Sequence, residues 1–557
     1  MSDLSQEFKS KLINLFKNKE YSRLEFEIEK FGNINDLPKN FIYLYSISIA
    51  LNPGSNIEKL KKANFYLEKI YLDNHENLEI LYNFVTVSLK IGSYEKILHY
   101  LKKAHKFFPQ EERIIESLAK INFLLCNVVE AIEYYELLFS LNDKKISSKI
   151  SYLVCLNYAS HITQDKYFSE CKKLSKLLEN NLTYCNKSSI DQKEKISLGF
   201  LSSDFKKHSV SYFLKGVLKN IDNQEFKLTA FSNLDKSLHD NFTNELKKNF
   251  DEWHDVSDLS NEDLIKQITT SNIDILIDLN IFTFGNRIEV FSQRVAPIQI
   301  SWLGYCNTAG IENIDYLISD KNCINFNEEN FYSEKVIYMP KIWNAMSVPD
   351  KLPNNTQSPC FKKDFFTFGS FNNFSKLSDD VIHAWSKILK KTNSKIILKN
   401  SVNHNKEINK NIINKFKSYG INENKLIFKE YLTDTEDHLK LYNEVDLSLD
   451  TFPYNGVTTS FESYLMGVPV ITLKGHNFNS RCGESINKNV GMVNLIALNL
   501  DDYIDKSIFF ATNYDDLKNL RKNLRQKVLA SPLFDVKDFV IHFSNKIKEK
   551  WEEHLKE

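Results

Sequence analysis

Apolar residues follow two different patterns along the chain. Over roughly the first third they recur at every third or fourth position, which predicts amphipathic helices. From Lys195 onward, short continuous apolar runs alternate with polar turns and helical stretches, as is typical of buried parallel strands connected by helices. The pattern therefore predicts an α-helical front followed by an α/β back.

The helical front contains a repeat of 34 residues between residues 60 and 143. Its three copies are anchored at Ala63, Ile97 and Ala131. Apolar companions stand three residues before, four after and seven after each anchor: Leu60, Tyr94 and Val128; Leu67, Leu101 and Tyr135; Ile70, Ala104 and Leu138. The stretch resembles tetratricopeptide repeats, whose helix pairs stack into a solenoid. Generic amphipathic helices are the alternative interpretation.

The boundaries of the repeats and their flanks are also visible. In the middle copy, Gly92 precedes the second helix and Pro109 follows its end, as these residue types do at helix boundaries. Residues 1–59 and 147–190 have a helical pattern that is out of register, so we expect them to cap the stack or join it to the next domain. Residues 1–190 are predicted to form an α-solenoid, similar to tetratricopeptide repeats, whose concave side holds a polypeptide.

The α/β back divides into two parts. Predicted strands are residues 196–203, 226–232, 273–279, 298–303 and 316–319 and, after a linker at 349–359, residues 365–371, 395–398, 426–429, 445–449 and 468–473. Two Rossmann-like halves are predicted, residues 191–350 and 360–557, the second with C-terminal helices. Ligands of such sheets bind beyond the carboxyl ends of the strands. Neither a Gly-x-Gly-x-x-Gly fingerprint nor a Walker loop is present, which disfavours dinucleotide oxidoreductases and P-loop enzymes.

The composition narrows the function classes. The 557 residues are 42% hydrophobic, and 72 Lys and Arg balance 72 Asp and Glu, which weighs against nucleic acid as the partner. Neither a signal peptide nor an apolar run long enough to span a membrane is recognisable, so a cytoplasmic protein is expected. Eight cysteines without a Cys-x-x-Cys pair or a His cluster predict reduced thiols and no metal site.

The segment 445–469 predicts a ligand site. A strand ends at Asp450, Gly456 shapes the following turn, and a helix begins at Thr458 and Thr459. The free N–H groups at the start of a helix attract anions, and threonine hydroxyls add further hydrogen bonds. The segment can therefore bind a diphosphate.

The same helix carries signals for both of its ends. Thr459 and Glu462 have the Ser/Thr-x-x-Glu spacing of a capping box, and Gly467 stands where glycine commonly follows the last turn. We therefore predict that Thr459 caps the helix. If capping is all that the threonines do, no ligand is bound there, and on the residues alone both interpretations stay open.

Five segments together resemble glycosyltransferase family 41, which contains the O-GlcNAc transferases and the SPINDLY proteins. The segment 445–469 is similar to the family's catalytic region, and more similar to the SPINDLY side. The other four match in the same order along the chain: residues 198–208 (LGFLSSDFKKH), 296–305 (APIQISWLGY), 371–376 (FNNFSK) and 435–439 (TEDHL). The resemblance covers roughly residues 195–530, and helical repeats in front of them fit the family's architecture.

The resemblance implies a GT-B fold and an inverting, metal-independent protein O-glycosyltransferase. Its second half would bind a nucleotide sugar, with UDP-GlcNAc favoured as the donor, and the repeats would present Ser or Thr of a polypeptide acceptor. A GDP-fucose protein O-fucosyltransferase, or another hexosyltransferase of the same fold, is the first alternative, and a repeat scaffold without catalysis is the second. No cofactor besides the nucleotide sugar is implied, and assembly into a homo-oligomer stays open.

Site residues are also implied by the resemblance. Lys376 would contact the donor diphosphate and act in catalysis, since a cation stabilises the charge of a departing nucleoside diphosphate. His208 would act as the acceptor-side base or hydrogen-bonding residue, and Asp204 is expected to hold the loop before it. The implied donor-binding residues are Asn373, Lys376, His438, Asn455, Gly456, Thr458, Thr459 and Glu462, and those of the substrate cleft are Trp302, Gly304 and Tyr305.

Three positions depart from the family pattern. Phe282 stands where many SPINDLY-like members have His, Cys306 stands where Pro is usual, and Val457 replaces the His or Thr that precedes the paired threonines. These departures leave the sugar, the nucleotide base and the acceptor open.

Overall fold

The computed structural model describes residues 5–179, 194–400 and 406–556. The chain folds into two compact units. The first comprises residues 1–143 with 405–411, and the second comprises residues 144–404 with 412–557. None of the helices in the described part of the chain is both long and apolar enough to cross a bilayer.

The first unit is built mainly of helices that pack against their neighbours along the chain. They are α1 (Gln6–Lys17), α2 (Tyr21–Phe31), α3 (Lys39–Leu51), α4 (Ile57–Asp73), α5 (Leu78–Ile91), α6 (Tyr94–Phe107), α7 (Glu112–Leu124) and α8 (Val128–Leu141). The repeat anchors Ala63, Ile97 and Ala131 lie on α4, α6 and α8 and are fully buried. The predicted repeat of 34 residues is therefore confirmed, because α6 and α8 begin 34 residues apart, as do α5 and α7, and the three anchors are buried at equivalent positions.

The second unit begins with two further helices, α9 (Ile146–Leu156) and α10 (Gln164–Glu179). The boundary between the two units thus lies before the predicted domain boundary at residue 190. Of the two roles predicted for residues 147–190, capping the stack or joining it to the next domain, α9 and α10 agree with the second; residues 180–190 lie outside the described residues. The reason is a buried polar contact with the α/β part of the unit. Tyr167 shares a hydrogen bond of 2.6 Å with Tyr305, and Gln164 donates to Asn307 at 2.9 Å.

A seven-stranded parallel sheet forms the first half of the α/β part. In spatial order β3-β2-β1-β4-β5-β6-β7, its strands are β1 (Ile196–Ser202), β2 (Phe226–Ser232), β3 (Glu252–Asp255), β4 (Ile275–Asp278), β5 (Ile298–Ser301), β6 (Tyr316–Asp320) and β7 (Lys335–Met339). The helices of this half are α11 (Ser209–Asn220), α12 (Asn241–Lys247), α13 (Asn261–Thr270) and α14 (Ile288–Phe291). The five predicted strands are confirmed, and the edge strands β3 and β7 were missed.

A six-stranded parallel sheet forms the second half, in the order β10-β9-β8-β11-β12-β13. Its strands are β8 (Phe366–Ser370), β9 (Ser394–Lys399), β10 (Leu426–Lys429), β11 (Leu447–Leu449), β12 (Val470–Leu473) and β13 (Ile496–Ala497). The helices that follow β8 in sequence are α15 (Asp379–Lys391), α16 (Lys406–Ser418), α17 (Thr435–Lys440), α18 (Thr458–Leu465), α19 (Phe478–Asn489), α20 (Leu500–Thr512), α21 (Tyr514–Arg521), α22 (Leu524–Leu529) and α23 (Val536–His554). Here too the five predicted strands are confirmed, and the two-residue β13 was missed.

Both sheets reverse their strand order at one point, between β1 and β4 in the first half and between β8 and β11 in the second. Crevices that bind ligands form at the carboxyl ends of strands at such switch points. The loops that leave β1, β4, β8 and β11 therefore position the candidate site.

Helix α23 follows the second half in sequence but packs against α11 of the first half. Trp302, in the loop after β5, lies against Phe539 and Phe543 of α23, with ring centroids 6.2 and 5.0 Å away. The C-terminal helices are thus shared between the halves, which the sequence pattern did not predict.

Candidate active site

A cavity of about 210 Å³ lies between the two halves, at the carboxyl ends of the strands. Six of the predicted site residues line it: His208, Gly304, Asn373, Lys376, Thr458 and Thr459. Residues of the first half form one wall and residues of the second half form the opposite wall. The cavity thus brings the predicted catalytic pair, His208 and Lys376, into one space.

Lys376 ends a short 3₁₀ turn after β8, and the Asn373 side chain caps this turn by accepting a hydrogen bond from the N–H of Ser375. The Lys376 Nζ donates to the carbonyl of Asn455 at 2.7 Å. Burial lowers the pKa of Lys376 from 10.5 to about 8, and the Asp450 carboxylate opposes this shift. Lys376 is therefore a half-buried cation at neutral pH, held at the wall of the cavity.

Asp450, at the end of β11, fixes the turn that faces Lys376. Its carboxylate accepts hydrogen bonds from the N–H of Gly456 at 2.7 Å and from the hydroxyl of Thr472 at 2.8 Å. Burial raises the pKa of Asp450 to about 6, and these hydrogen bonds limit the rise. A Cβ at Gly456 would lie 2.4 Å from the Thr459 Oγ1, so only glycine fits this turn.

Asn455 was predicted to bind the donor, but it is not among the residues that line the cavity. Its side chain is fully buried, donating to the carbonyl of Thr451 at 2.9 Å and accepting from the N–H of Gly483 at 3.1 Å. The side chain therefore builds the loop, and the Asn455 carbonyl is the atom that meets Lys376.

Helix α18 begins at Thr458, two residues earlier than the predicted capping box requires, with Val457 in the N-cap position and no side-chain cap. The predicted capping box is therefore wrong. Thr459 instead donates to the Asn372 Oδ1 at 3.2 Å. Because Val457, Thr458 and Thr459 line the cavity, the start of the helix opens onto it without a competing side chain. Gly467 follows the last turn as predicted, with its N–H donating to the carbonyl of Tyr464.

Glu462 bonds with neighbouring side chains rather than with the helix start. Its Oε2 lies 2.9 Å from the His438 Nε2 and accepts from the Tyr442 hydroxyl at 3.1 Å. The ring of His438 lies beside Phe371, which follows β8. Among the described residues the buried His438 Nδ1 has no hydrogen-bond partner. Glu462 also lines a neighbouring cavity of about 380 Å³ with Tyr212 and Thr435.

His208 occupies the N-cap position of α11, where its Nδ1 accepts from the N–H of Val210 at 3.4 Å. Its side chain is 42% exposed, and the Nδ1 lies 3.5 Å from the Asp204 Oδ2. Burial lowers the pKa of His208, and the Asp204 carboxylate opposes the shift. At neutral pH the imidazole is therefore mainly uncharged.

Asn280 is a site residue that the sequence reasoning missed. It lies fully buried after β4, donates to the Asp204 Oδ2 at 2.9 Å and accepts from the N–H of Ser203 at 2.9 Å. It thereby holds Asp204 beside His208. The sequence could have indicated Asn280, because this residue directly follows the predicted end of β4, and β4 is the neighbour of β1 at the switch point.

The three residues predicted to form the substrate cleft lie in different environments. Gly304 lines the cavity, and a Cβ there would lie 1.8 Å from the carbonyl of Leu279. Trp302 and Tyr305 are only 1% and 3% exposed. The Trp302 indole donates to the carbonyl of Trp343, and the Tyr305 hydroxyl bonds with Asn157. Their assignment to the cleft is wrong, because both side chains point into the packing behind it.

The three residues that depart from the family pattern do not all reach the cavity. Cys306 and Val457 line the cavity, whereas Phe282 is buried and packs edge-on against Tyr305. The seven cysteines within the described residues are buried and carry thiols; Cys185 lies outside the described residues. Over residues 5–179, 194–400 and 406–556, no group of three or more His, Cys, Asp or Glu side chains is arranged to hold a metal ion.

A family model described as glycosyl transferase family 41 matches residues 151–351 and 348–543. The matched region starts within α9, so it includes the second half of α9 and all of α10 together with the sheets of both Rossmann-like halves.

Two curated plant proteins are similar in sequence. The tomato (Solanum lycopersicum) SPINDLY protein, described as a probable UDP-N-acetylglucosamine–peptide N-acetylglucosaminyltransferase, is 29% identical over 72% of this chain and 43% of its own length. The Arabidopsis thaliana SEC protein, which has the same description, is 28% identical over 65% of this chain and 38% of its own length. The chain spans less than half the length of these relatives.

A solved structure supports the architecture. The structure of a mutant O-GlcNAc transferase of Thermobaculum terrenum superposes with a TM-score of 0.81 at 23% identity, covering 93% of this chain and 99% of that chain. The likeness confirms the predicted fold class, helical repeats followed by a GT-B fold with two Rossmann-like halves.

Proposed function

The chain belongs to glycosyl transferase family 41, and from this membership and the geometry of the cavity we propose that it transfers a sugar from a nucleotide donor to a polypeptide acceptor. One observation carries the proposal: a lysine ammonium and the uncapped start of α18 line one wall of the cavity, and a histidine lies on the other. The descriptions of the SPINDLY and SEC relatives favour UDP-GlcNAc as the donor.

The donor wall would act on the leaving group. When the bond between the anomeric carbon and the β-phosphate oxygen breaks, negative charge grows on that phosphate. The Lys376 ammonium and the N–H groups at Thr458 and Thr459 would stabilise this charge, since fixed donors in a partly dry site act most strongly where charge develops. With a pKa of about 8, Lys376 is mainly protonated at neutral pH. We propose that these groups supply the positive charge, so that transfer proceeds without a metal ion.

The opposite wall would act on the acceptor. A Ser or Thr hydroxyl that attacks the anomeric carbon from the side of His208 approaches opposite to the departing phosphate, which inverts the configuration. With its proton on Nδ1, directed towards Asp204, neutral His208 can accept the proton of that hydroxyl at Nε2, directly or through a water. With its proton on Nε2, as when Nδ1 accepts from the N–H of Val210, it can orient the hydroxyl. Asp204, held by Asn280, would stabilise the imidazolium that forms.

The donor base would lie near His438 and Glu462. The buried His438 Nδ1 lacks a partner among the described residues, so it is available to a polar atom of a base, and Glu462 and Tyr442 fix the ring. Calorimetric titration of the full chain with UDP and with GDP tests the donor. We expect tighter binding of UDP, and a clear preference for GDP would instead support the fucosyltransferase alternative.

The transferase and scaffold hypotheses differ in turnover. A scaffold would not need Lys376, His208 and an open helix start in one cavity, so their presence favours catalysis. The experiment is intact-mass and peptide mass spectrometry of candidate acceptor proteins after incubation with UDP-GlcNAc or GDP-fucose, with and without EDTA. We expect a mass increase of one N-acetylhexosamine on Ser or Thr that persists in EDTA. Capture of acceptors without any mass increase from either donor would support the scaffold.

The repeat unit is proposed to hold the polypeptide acceptor, as helical solenoids commonly do. A variant chain that begins at residue 144 tests this, since α9 and α10 group with the second unit. We expect it to keep UDP affinity and to lose glycosylation of protein acceptors. Unchanged glycosylation of proteins would contradict the role of the repeats.

A further inference from the structure

The aromatic ring of Tyr454 lies between the donor lysine and a helix that precedes the α/β halves. The Lys376 Nζ stands 4.4 Å from the centroid of this ring. The ring of Tyr158, two residues after the end of α9, stacks with it at a centroid distance of 4.9 Å and an interplanar angle of 27°. The three side chains form a stack that runs from the cavity wall to the end of α9.

Tyr454 is held in this place by its own loop. It lies in the turn between β11 and α18, where its carbonyl accepts a hydrogen bond from the Thr451 hydroxyl at 2.7 Å. Burial raises the pKa of both Tyr454 and Tyr158 well above their usual value. Both phenols are therefore neutral at physiological pH, and the ring of Tyr454 offers Lys376 an uncharged aromatic face.

The outer partner of the stack is anchored as well. Asn157, next to Tyr158, donates to the Tyr305 hydroxyl at 2.5 Å and accepts from the Asn307 side chain at 2.8 Å. The Asn479 side chain, on α19 of the second half, donates to the Asn157 carbonyl at 3.3 Å. The end of α9 is thus tied to both halves, so that Tyr158 supports Tyr454 from a fixed position.

The environment of Lys376 explains why such a ring matters. Burial disfavours its ammonium form, and the charged and titratable groups that face it are Asp450 at the end of β11, Cys306 after β5 and Cys482 on α19. A cation over an aromatic face is stabilised, and more so when water is largely excluded. The face of Tyr454 and the Asn455 carbonyl therefore favour a charged and immobile Lys376.

We propose that Tyr454, supported by Tyr158, is a positioning residue that keeps the Lys376 ammonium charged and directed along the donor wall. The consequence for the donor rests on the proposed function. The consequence for Lys376 itself does not, because it concerns the protonation of one amine in the ligand-free protein. Helix α9, which positions Tyr158, then contributes to the donor site and does more than connect the repeats to the α/β halves.

The first experiment measures the amine directly. Full-length wild type and the variants Tyr454→Leu, Tyr454→Phe and Tyr158→Leu are reductively methylated with ¹³C-formaldehyde, and the Lys376 resonance, identified by its loss in Lys376→Arg, is titrated by NMR. We expect Tyr454→Leu to lower the pKa of Lys376 by about one unit, as loss of a desolvated cation–π contact implies. Tyr454→Phe should keep the wild-type pKa, and Tyr158→Leu should lower it by less.

The second experiment measures UDP affinity by calorimetry at pH 6.5 and pH 8, as the ratio to wild type at each pH. Tyr454→Leu should weaken UDP binding about fivefold at pH 8, because at that pH the protonated fraction of Lys376 falls from about one half in the wild type to about one tenth in the variant. At pH 6.5, where Lys376 is mainly protonated in both proteins, UDP binding should hardly change. A ring that only fills space would weaken binding equally at both pH values. Tyr338→Leu, on the distant β7, is the control.

The outcomes separate the two proposals. An unchanged pKa of Lys376 in both Tyr454→Leu and Tyr158→Leu overturns the positioning role, whatever UDP does. If Lys376→Ala binds UDP as the wild type does, the donor site is overturned, while the NMR result still decides the role of Tyr454. If Tyr454→Leu does not fold, Tyr158→Leu decides, because it leaves the Tyr454 loop in place.

Discussion

Replacement of Lys376 by Met is expected to remove most of the sugar transfer and to make the protein more stable. Met has a similar length, so it fills the same space beside Tyr454, but it carries no charge and cannot donate to the Asn455 carbonyl. Removal of one donor that acts on developing charge typically lowers kcat by about 10² to 10³. We expect a loss of this size in kcat.

The gain in stability follows from the pKa of Lys376, which burial lowers from 10.5 to about 8. The unfolded chain holds this proton more tightly than the folded one, so protonation favours unfolding. The charged Lys376 lowers the free energy of unfolding by its full amount below pH 8, and this destabilisation disappears as the pH rises toward 10.5. The shift corresponds to about 3 kcal/mol at most, and because the half-buried side chain is partly screened by solvent, we expect a gain of about 1–2 kcal/mol in the free energy of unfolding.

Urea denaturation of Lys376→Met and wild type at pH 7 and pH 10.5, together with transferase assays at pH 7, measures both effects. Lys335→Met, at an exposed position on β7, is the matched control and should change neither. A variant with wild-type kcat would refute the role in leaving-group stabilisation. A variant less stable than wild type at pH 7 would refute the argument from burial.

Other substitutions test other parts of the site. His208→Ala should lower kcat with little change in UDP affinity, and Asn280→Ala should lower kcat less while shifting the acid limb of the pH–rate profile; equal pH profiles would contradict the link through Asp204. Gly456→Ala should weaken UDP binding at least tenfold in calorimetry, because its Cβ would meet the Thr459 hydroxyl at 2.4 Å, and overpacking of this kind displaces the surrounding groups. Trp302→Ala should destabilise the protein by about 3–5 kcal/mol in urea denaturation and leave the UDP affinity of the folded protein unchanged, whereas a direct role in the cleft would weaken it.

Much of the fold could be predicted because its strands are short apolar runs. β2 and β10 have the predicted bounds, since both sheets bury both faces. β3, with the sequence EWHD, lies at a sheet edge, where polar residues are tolerated, so a search for apolar runs misses it. β7, at the other edge, contains the apolar run VIYM and could have been found by the same search. The return of α23 to the first half depends on tertiary packing, which no local pattern records.

The candidate site was predictable in position more than in detail. The predicted helix start located Thr458, and the resemblance to family 41 located His208 and Lys376, whereas the rule that ligands bind beyond strand ends gave only the region. It could not decide which way a loop side chain turns, and so Trp302 and Tyr305 were assigned to the cleft although both are buried. The capping box was wrong because Asn372, distant in sequence, supplies the partner of Thr459.

The packing of α23 on the first half constrains the order in which the protein can form during synthesis. Strands β1 to β7 leave the ribosome early, but the rings of Phe539 and Phe543, which cover Trp302, follow only after the whole second sheet. Until then the first sheet keeps an exposed apolar surface around Trp302. The first half therefore cannot complete its packing before α23 has been synthesised. Until then, the growing chain exposes the apolar surface that α23 later covers.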